Sequence, residues 1–510
     1  MSLPLRVRLL GFASGTPLLV LDDTAAYSLG VRPHDRVLVR RGGSEIVAVV
    51  NVAQNLSPDI ALVNDEVARA LALKTGELVE VLAVQPPRSS QYIKAFLSGS
   101  SLSYEEVRTI IEDIVKNSLD EVELTALVTA ANQRGLSVEE AYYFSRAMVE
   151  TGERLNLGVN PILDKHSIGG VPGDKTTLLI VPIIASLGYY IPKTSSRAIT
   201  SPAGTADRAE VLMPVNLTLE EVHSIVFNVR GCIAWGGALG LAPADDKIIK
   251  VEYPLAIDPF LVPSIIAKKA AVGATHIVVD LPVGRGAKVK TIEEARNLSR
   301  ILVEVSKRMG IKVACVATLG DQPVGRAAGP ALEAREALFA LLGKGPVDLV
   351  DKAVSLAGML LEMVGISDGK AIALEALKSG KAYLKMKEII EAQGGNPDLK
   401  PQDIPVGDKR LTLYAEREGM VIWVNNTAIA TAARLAGAPK DKGAGIELHA
   451  KIGSLVKNGY PLLTVYSEHS TKLQAAEEYL ETVMAIGVGK PEENMVLAHL
   501  HYESMVSLEH

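Results

Sequence analysis

One stretch decides the fold of this chain: Lys165-His166-Ser167-Ile168-Gly169-Gly170-Val171-Pro172-Gly173-Asp174-Lys175-Thr176-Thr177. The apolar run Leu178–Leu187 follows at once and predicts a helix that begins where the glycine-rich loop ends. Glycines let a backbone approach a ligand closely, and N–H groups at a helix start attract anions. The stretch therefore predicts an anion-binding loop with a lysine and hydroxyls beside it. The alternative is a glycine-rich turn with solvated lysines. It is not a P-loop, because Asp174 separates the last glycine from Lys175.

Short apolar runs such as Ile277–Asp280 and Val313–Ala317 alternate with amphipathic segments on the C-terminal side of this loop. Such alternation predicts a layered α/β domain. Before the loop, Ser103 and Glu106 form a capping-box pattern ahead of an isoleucine stripe, which predicts helices. After Gly419 the chain returns to short strands with glycine turns, which predicts a smaller α+β unit.

The first ~85 residues contain a near-repeat, in which Leu29–Val39 resembles Leu71–Val81. Each copy predicts a turn followed by an alternating strand, and two interlocked copies predict a small double-psi-like β-barrel. Pro86 and Pro87 then predict a linker. A basic cluster is expected on a solvated face; its members are Arg32, His34, Arg36, Arg40 and Arg41. We expect this domain to serve assembly or stability.

The fold class predicted is thus multidomain α/β. The predicted domains are a barrel at 1–85, a helical domain at 88–155 with 241–272, an α/β phosphate-binding domain at 156–240 with 273–415, and an α+β domain at 416–505.

Composition excludes several classes of protein. The chain has 510 residues, 48% hydrophobic and 22% charged, with a net charge of −6. It is neither disordered nor basic enough to bind nucleic acid or an anionic membrane as its main partner. Cys232 and Cys315 are expected to be buried free thiols, and no convincing signal peptide opens the chain, so we expect a cytoplasmic protein. His499 and His501 lack further ligands nearby, so we expect no metal.

Two further polar segments stand out. The first, Lys193–Asp207, combines hydroxyls with Arg197 and Gly204 and could bind the oxygens of a phosphorylated sugar, or be a polar surface loop. The second is Ala242–Lys247, followed by Asp258 before Pro259; an aspartate there is more often a turn or cap.

Together these segments resemble the family of thymidine and pyrimidine-nucleoside phosphorylases over residues 88–500. The resemblance also includes the Ser264–Lys269 stretch. The chain differs from the pyrimidine enzymes at Ala198–Pro202, where they have a glycine-rich stretch with a histidine, and at the additional Pro172. It also lacks an evident base-binding arginine near Lys250–Tyr253 and adds an N-terminal domain. In these features it resembles the archaeal AMP phosphorylase branch.

The resemblance implies phosphorolysis of nucleoside 5′-monophosphates, in which AMP and phosphate give adenine and ribose 1,5-bisphosphate, with CMP and UMP as lesser substrates. It implies no cofactor and a homodimer or larger homo-oligomer. Asp258 is the implied proton donor, which burial or a hydrogen bond would have to keep protonated. The implied phosphate-binding residues are Lys165, Ser167, Thr177, Ser195 and Thr205. The implied nucleotide-binding residues are Gly170, Ser196, Arg197, Ala198, Ile199, Thr200, Ser201, Thr205, Ser264 and Lys288. The role of His166, in fixing the loop or in contacting the base, stays open.

Two other enzyme activities remain as alternatives. One is a pyrimidine-nucleoside (thymidine or uridine) phosphorylase. The other is a transferase like anthranilate phosphoribosyltransferase, which would use magnesium. A binding or adaptor protein is a third possibility, because the barrel resembles recognition domains found on ring ATPases.

Overall fold

The computed structural model describes residues 2–84, 87–198 and 201–489. Some residues that the sequence analysis named lie outside the described residues: Pro86, Ile199, Thr200, His499 and His501. The chain consists of two compact units. The first comprises the chain up to Arg154 with Gly240–Ala271, and the second comprises Leu155–Leu239 with the chain from Val272 onward. The sequence predicted that the chain passes from one domain to the other after residues 155, 240 and 272. In the structure it does so after Arg154, Leu239 and Ala271.

The elements follow in chain order. Up to residue 84 they are β1 (Ser2–Leu9), β2 (Leu18–Asp22), α1 (Asp23–Leu29), β3 (Arg36–Arg41), β4 (Ser44–Ala53), β5 (Ile60–Val63), α2 (Asp65–Ala70) and β6 (Leu78–Ala83). The next group is α3 (Arg88–Leu97), α4 (Tyr104–Val115), α5 (Glu121–Arg134), α6 (Val138–Glu150), β7 (Leu163–Ser167), α7 (Thr177–Ser186), β8 (Ile191–Ser195), α8 (Thr205–Ala209), α9 (Leu219–Val229), β9 (Gly231–Trp235), α10 (Pro243–Leu255) and α11 (Leu261–Ala271). The last group is β10 (His276–Val283), α12 (Ile292–Arg308), β11 (Lys312–Leu319), β12 (Ala327–Ala328), α13 (Pro330–Leu341), α14 (Val347–Met363), α15 (Gly369–Lys378), α16 (Lys381–Ala392), β13 (Lys409–Tyr414), β14 (Gly419–Val424), α17 (Asn426–Leu435), β15 (Gly445–Leu448), β16 (Leu455–Val456), β17 (Pro461–Ser467), α18 (Ser470–Thr482) and β18 (Ile486–Gly489).

The N-terminal strands close into a barrel in the order β1-β5-β2-β4-β3-β6, as the internal repeat predicted. Each half contributes a short helix followed by a strand: α1 precedes β3, and α2 precedes β6. Alternate residues of the strands point inward, so Val37, Val39, Val79 and Val81 belong to one apolar core.

The basic cluster of the barrel is not one solvated face, which corrects the prediction. Arg40 pairs with Glu45. Arg41 pairs with Glu77 at 2.6 Å and donates to the carbonyls of Leu71 and Ala72. The Nε and NH1 atoms of Arg36 are buried without a hydrogen-bond partner among the described residues.

Three consecutive helices of the first unit, α4, α5 and α6, begin at capping boxes. Ser103 and Glu106 form the predicted one at α4, Asp120 and Glu123 form the one at α5, and Ser137 and Glu140 form the one at α6. Lys247 in α10 donates to the carbonyls of Ile114 and Val115 at the end of α4, and to Asn117.

The α/β region of the second unit is built on parallel strands. Its central sheet has the order β11-β10-β7, and β8 pairs with β9 in parallel. A parallel bridge between Ile162 and Tyr190 adjoins the two sheets. Strand β10 is buried along nearly its whole length, as expected of a parallel strand covered on both faces. Helix α7, the apolar run after the glycine loop, is buried in the core that these strands share with α13 to α16.

The C-terminal region contains a four-stranded sheet in the order β12-β15-β17-β13 and a three-stranded sheet in the order β16-β14-β18. Strand β13 precedes residue 416 but pairs with β17, so this sheet begins earlier in the chain than the predicted domain. Among the described residues, no helix is long and apolar enough to cross a membrane.

Candidate functional site

The candidate site lies at the carboxyl edge of the parallel strands. In open α/β sheets, ligands bind outside the carboxyl ends of the strands, because the loops that follow neighbouring strands meet there. Ser167 ends β7, Ser195 ends β8, and the loop that carries Lys288 follows β10. Three predicted segments that are far apart in sequence therefore share one edge.

The loop after β7 contacts the loop after β10 directly. Gly170 has φ +91°, and a Cβ placed there would lie 2.5 Å from the backbone nitrogen of Lys288. Only glycine fits this close approach without displacing the neighbouring backbone. Two of the predicted nucleotide-binding residues are thus neighbours, and the side chain of Lys288 is exposed.

The loop after β8 folds back onto Gly204. A Cβ on Gly204 would lie 2.5 Å from the nitrogen of Ala198 and 2.7 Å from the carbonyl oxygen of Ser196. Asp207, 3% exposed, accepts hydrogen bonds from the backbone nitrogens of Ala198 (2.7 Å) and Gly204 (2.9 Å) through one oxygen. That carboxylate ties the two ends of the predicted nucleotide-binding loop together, a role that the sequence analysis missed.

Arg197 is engaged within the protein. Its guanidinium binds both oxygens of Glu210, at 2.6 and 2.8 Å, and lies over the ring of Trp235 at 4.9 Å. The hydrogen bond from Arg197 lowers the pKa of Glu210 to about 2, against the opposing effect of burial. Because Glu210 balances its charge, Arg197 stabilises the conformation of this loop. Its contact with the nucleotide stays a prediction.

Two of the predicted phosphate-binding residues, Lys165 and Ser167, belong to a buried ionic network. The ammonium of Lys165, 2% exposed, donates to Thr176 at 2.9 Å and lies 3.7 Å from Asp174. Lys352 of α14 bridges Asp174, at 3.3 Å, and Asp280, at 2.8 Å. Asp280 in turn accepts from Ser167 (2.8 Å) and Thr318 (2.6 Å).

The network sets the protonation of its members. Burial lowers the pKa of Lys165, although Asp174 and Asp280 oppose that shift. Burial alone would raise the pKa of Asp174, but Lys165 and Lys352 hold it well below its usual value. An incoming anion beside Lys165 would favour the ammonium form. Within the network, two lysines, Lys165 and Lys352, face two carboxylates, Asp174 and Asp280.

Lys175 is not one of the solvated lysines that the alternative interpretation of the glycine loop expects. It is fully buried, pairs with Glu336, and donates to the carbonyls of Val324 (3.0 Å) and Ala327 (2.9 Å). The lysine next to the glycine loop therefore braces the segment before β12 rather than facing a ligand. Thr177, the first residue of α7, is 3% exposed.

Thr205 is the first residue of α8. The hydroxyl of Ser195 donates to the carbonyl of Ser196 at 3.3 Å, and the hydroxyl of Ser201 donates to that of Ala203 at 3.1 Å. Sequence reasoning gave no role to Asp280, although it ends a run that the analysis quoted. No motif in the sequence pointed to Lys352, because it is a single lysine within α14.

The first unit holds two of the predicted residues. Ser264 of α11 donates to Asp245 of α10 at 2.9 Å, and Lys268 pairs with the same carboxylate oxygen at 2.5 Å. Asp258 lies in the segment between these helices, and its side chain is exposed.

The sequence of this chain matches those of known protein families. The model of the glycosyl transferase family a/b domain matches residues 159–383, and that family's helical bundle domain matches residues 90–152. The C-terminal domain of pyrimidine nucleoside phosphorylase matches residues 420–487. AMP phosphorylase of Thermofilum pendens is 54% identical to this chain over 98% of both sequences. The chain belongs to the AMP phosphorylase family.

Other members of this family are similar over almost as much of the chain. AMP phosphorylase 1 of Archaeoglobus fulgidus is 48% identical over 94% of this chain and 96% of its own length. The enzyme of Thermococcus kodakarensis is 46% identical over 92% and 95%. Anthranilate phosphoribosyltransferase of Thermus thermophilus superimposes with a TM-score of 0.52 at 21% identity, covering 59% of this chain and 98% of its own. That likeness shows a shared fold.

Proposed function

We propose that this chain catalyses the phosphorolysis of AMP to adenine and ribose 1,5-bisphosphate, with CMP and UMP as lesser substrates. The observation that carries the proposal is the 54% identity to an AMP phosphorylase over 98% of both chains. The hydroxyl residues that end β7 and β8, Ser167 and Ser195, support it, because ligands of open α/β sheets bind at the carboxyl ends of the strands.

In the proposed reaction, an oxygen of inorganic phosphate forms the bond to C1′ while the glycosidic bond to the base breaks. The electrons of that bond leave with the base, which takes up a proton, and positive charge develops on the ribose. No protein nucleophile is needed, so catalysis comes from positioning and charge stabilisation. Lys165, Ser167, Thr177, Ser195 and Thr205 would hold phosphate. The loop after β8, Gly170, Lys288 and Ser264 would hold the nucleotide.

The assay is incubation with AMP and phosphate in the presence of EDTA, with detection of free adenine. We expect adenine without added metal, because the proposal includes no cofactor. Adenosine and uridine should be poor substrates, since a site built around a 5′-phosphate leaves buried charges unpaired without it, and such losses reach about 10⁴-fold. Equal turnover of nucleosides would favour a pyrimidine-nucleoside phosphorylase, to which the C-terminal family match also points. A strict magnesium requirement would favour the phosphoribosyltransferase alternative.

The family resemblance assigns protonation of the leaving base to Asp258, and we keep that assignment as part of the proposal. Asp258→Asn removes the proton while preserving the shape of the side chain. General acids contribute roughly 10²- to 10⁴-fold, so kcat should fall within that range while the KM for phosphate stays the same. Retention of near wild-type kcat would remove Asp258 from this role. We further propose a homodimer, which sedimentation would test.

A further inference from the structure

Asn426, the first residue of α17 in the C-terminal region, inserts its amide between two loops of the α/β region. The side chain is 2% exposed. Its Nδ2 donates to the carbonyl oxygen of Gly320 at 2.7 Å and to that of Arg285 at 3.3 Å. Gly320 follows β11 and Arg285 follows β10. One amide therefore joins the ends of two adjacent parallel strands.

The loop after β10 is held from two sides at this point. Gly286 has φ +79°, and a Cβ placed there would lie 2.9 Å from the Cβ of Asn426. The nitrogen of Arg285 donates to Asp321 at 2.8 Å. The loop thus packs against Asn426 with no room for a larger residue.

The same loop reaches the candidate site two residues later. Ala287 is 1% exposed, and the backbone nitrogen of Lys288 is the atom that a Cβ on Gly170 would strike. A displacement of the Arg285 carbonyl would therefore be passed along a short, tightly packed segment to Lys288 and Gly170.

Stability alone does not account for an asparagine here. The Oδ1 atom of Asn426 is buried without a hydrogen-bond partner among the described residues. A buried acceptor left in this way loses its hydrogen bonds to water without replacement, which destabilises the folded state. The two hydrogen bonds that Nδ2 donates compensate for this, and both bind carbonyl groups of the loops beside the candidate site.

We propose that Asn426 is a positioning residue for the nucleotide site: its amide fixes the loop after β10 and so places Lys288 against Gly170. The inference rests on the proposed function, because Lys288 is assigned to the nucleotide there. It gives the C-terminal region a part in catalysis without any contact to substrate.

The test is the kinetics of Asn426→Asp with AMP and phosphate varied separately. The carboxylate has nearly the same shape but has no N–H to donate and would repel both carbonyls. Misplacement of a binding group by about 1 Å can cost on the order of 100-fold. We expect the KM for AMP to rise by about 10- to 100-fold while the KM for phosphate changes little, because the proposed phosphate residues lie on other segments.

Two further variants separate positioning from general damage. Gly286→Ala adds a methyl group against Asn426 from the opposite side and should raise the KM for AMP in the same way. Asn425→Ala removes the cap of α17, in which Asn425 accepts from Ala428 at 3.1 Å, but leaves the loop contacts intact. It should lower thermal stability while leaving the KM for AMP unchanged.

The outcomes distinguish this inference from the proposed function. An active wild type in which Asn426→Asp and Gly286→Ala leave the KM for AMP unchanged overturns the inference alone. So does an equal rise of the KM for AMP in Asn425→Ala. A wild type that releases no adenine from AMP overturns the proposed function, and the inference with it.

Discussion

Adjacent residues of the glycine loop have opposite roles. Asp174 faces Lys165 and Lys352, whereas the side chain of Lys175 turns toward Glu336 and two backbone carbonyls. Both are buried charges, and each is tolerated only because oppositely charged or polar atoms surround it. Their neighbours in sequence do not reveal these partners, because Lys352 and Glu336 come from helices more than 150 residues away.

Asp174→Asn should destabilise the second unit, because it leaves Lys165 and Lys352 with one carboxylate fewer in a buried network. Breaking a buried pair typically costs about 3 to 5 kcal/mol. Since the pKa of Asp174 is held low, its stabilisation is complete above the unfolded value near 3.9 and is lost as the pH falls through the folded value. In denaturant unfolding, the free energy of unfolding of Asp174→Asn should therefore be lower than that of the wild type by a constant amount between pH 7 and pH 5. This difference should become smaller below about pH 4.

The matched control for this substitution is Asp351→Asn, at the residue before Lys352. Asp351 is exposed and pairs with Lys370 on the surface at 2.7 Å. Surface pairs contribute little, so its unfolding curve should nearly coincide with that of the wild type. If both variants lost the same free energy of unfolding, the buried network would not be important for stability.

At the scale of elements, the site results from where loops follow strands. The parallel register places Ser167 of β7 opposite Asp280 of β10, so that a hydroxyl and a carboxylate from distant segments bond across the sheet. Glycine is required at Gly170 and Gly204 because backbone atoms of neighbouring loops approach within 2.5 Å of the Cβ position. Lys247, a residue in a quoted motif, instead binds the carbonyl end of α4 and the side chain of Asn117.

At the scale of the whole molecule, the chain is assembled from regions with their own cores. The barrel encloses a cluster that includes Leu5, Leu21 and Val81, and the C-terminal region has another that includes Val421 and Ile446. The barrel is not isolated, however, because it belongs to the first unit with the helices. Burial lowers the pKa of Arg36 in β3, while Asp120 and Glu123 at the start of α5 oppose that shift.

A protein that begins at Arg88 should retain AMP phosphorolysis, because none of the proposed site residues lies in the barrel. Its melting temperature should fall by a few degrees, since Asp120 and Glu123 at the start of α5 lose their interaction with Arg36. Differential scanning calorimetry, sedimentation and the adenine assay measure stability, assembly and activity. In the full chain, Arg36→Met serves as the control and should reproduce part of the stability loss only. A folded but inactive truncated protein would show that the barrel contributes to catalysis.

Local sequence determined the elements and their order. The repeat predicted a barrel, a serine cap predicted α4, and the apolar run after the glycine loop predicted α7. Each depends on residues within a few positions of one another, where backbone preferences and periodicity act. The tertiary structure alone decided which charges meet: Lys352 with Asp280, Arg197 with Glu210, Lys175 with Glu336 and Asn426 with the loop after β10. Those partners depend on how strands and helices pack over long sequence separations, which no local pattern records.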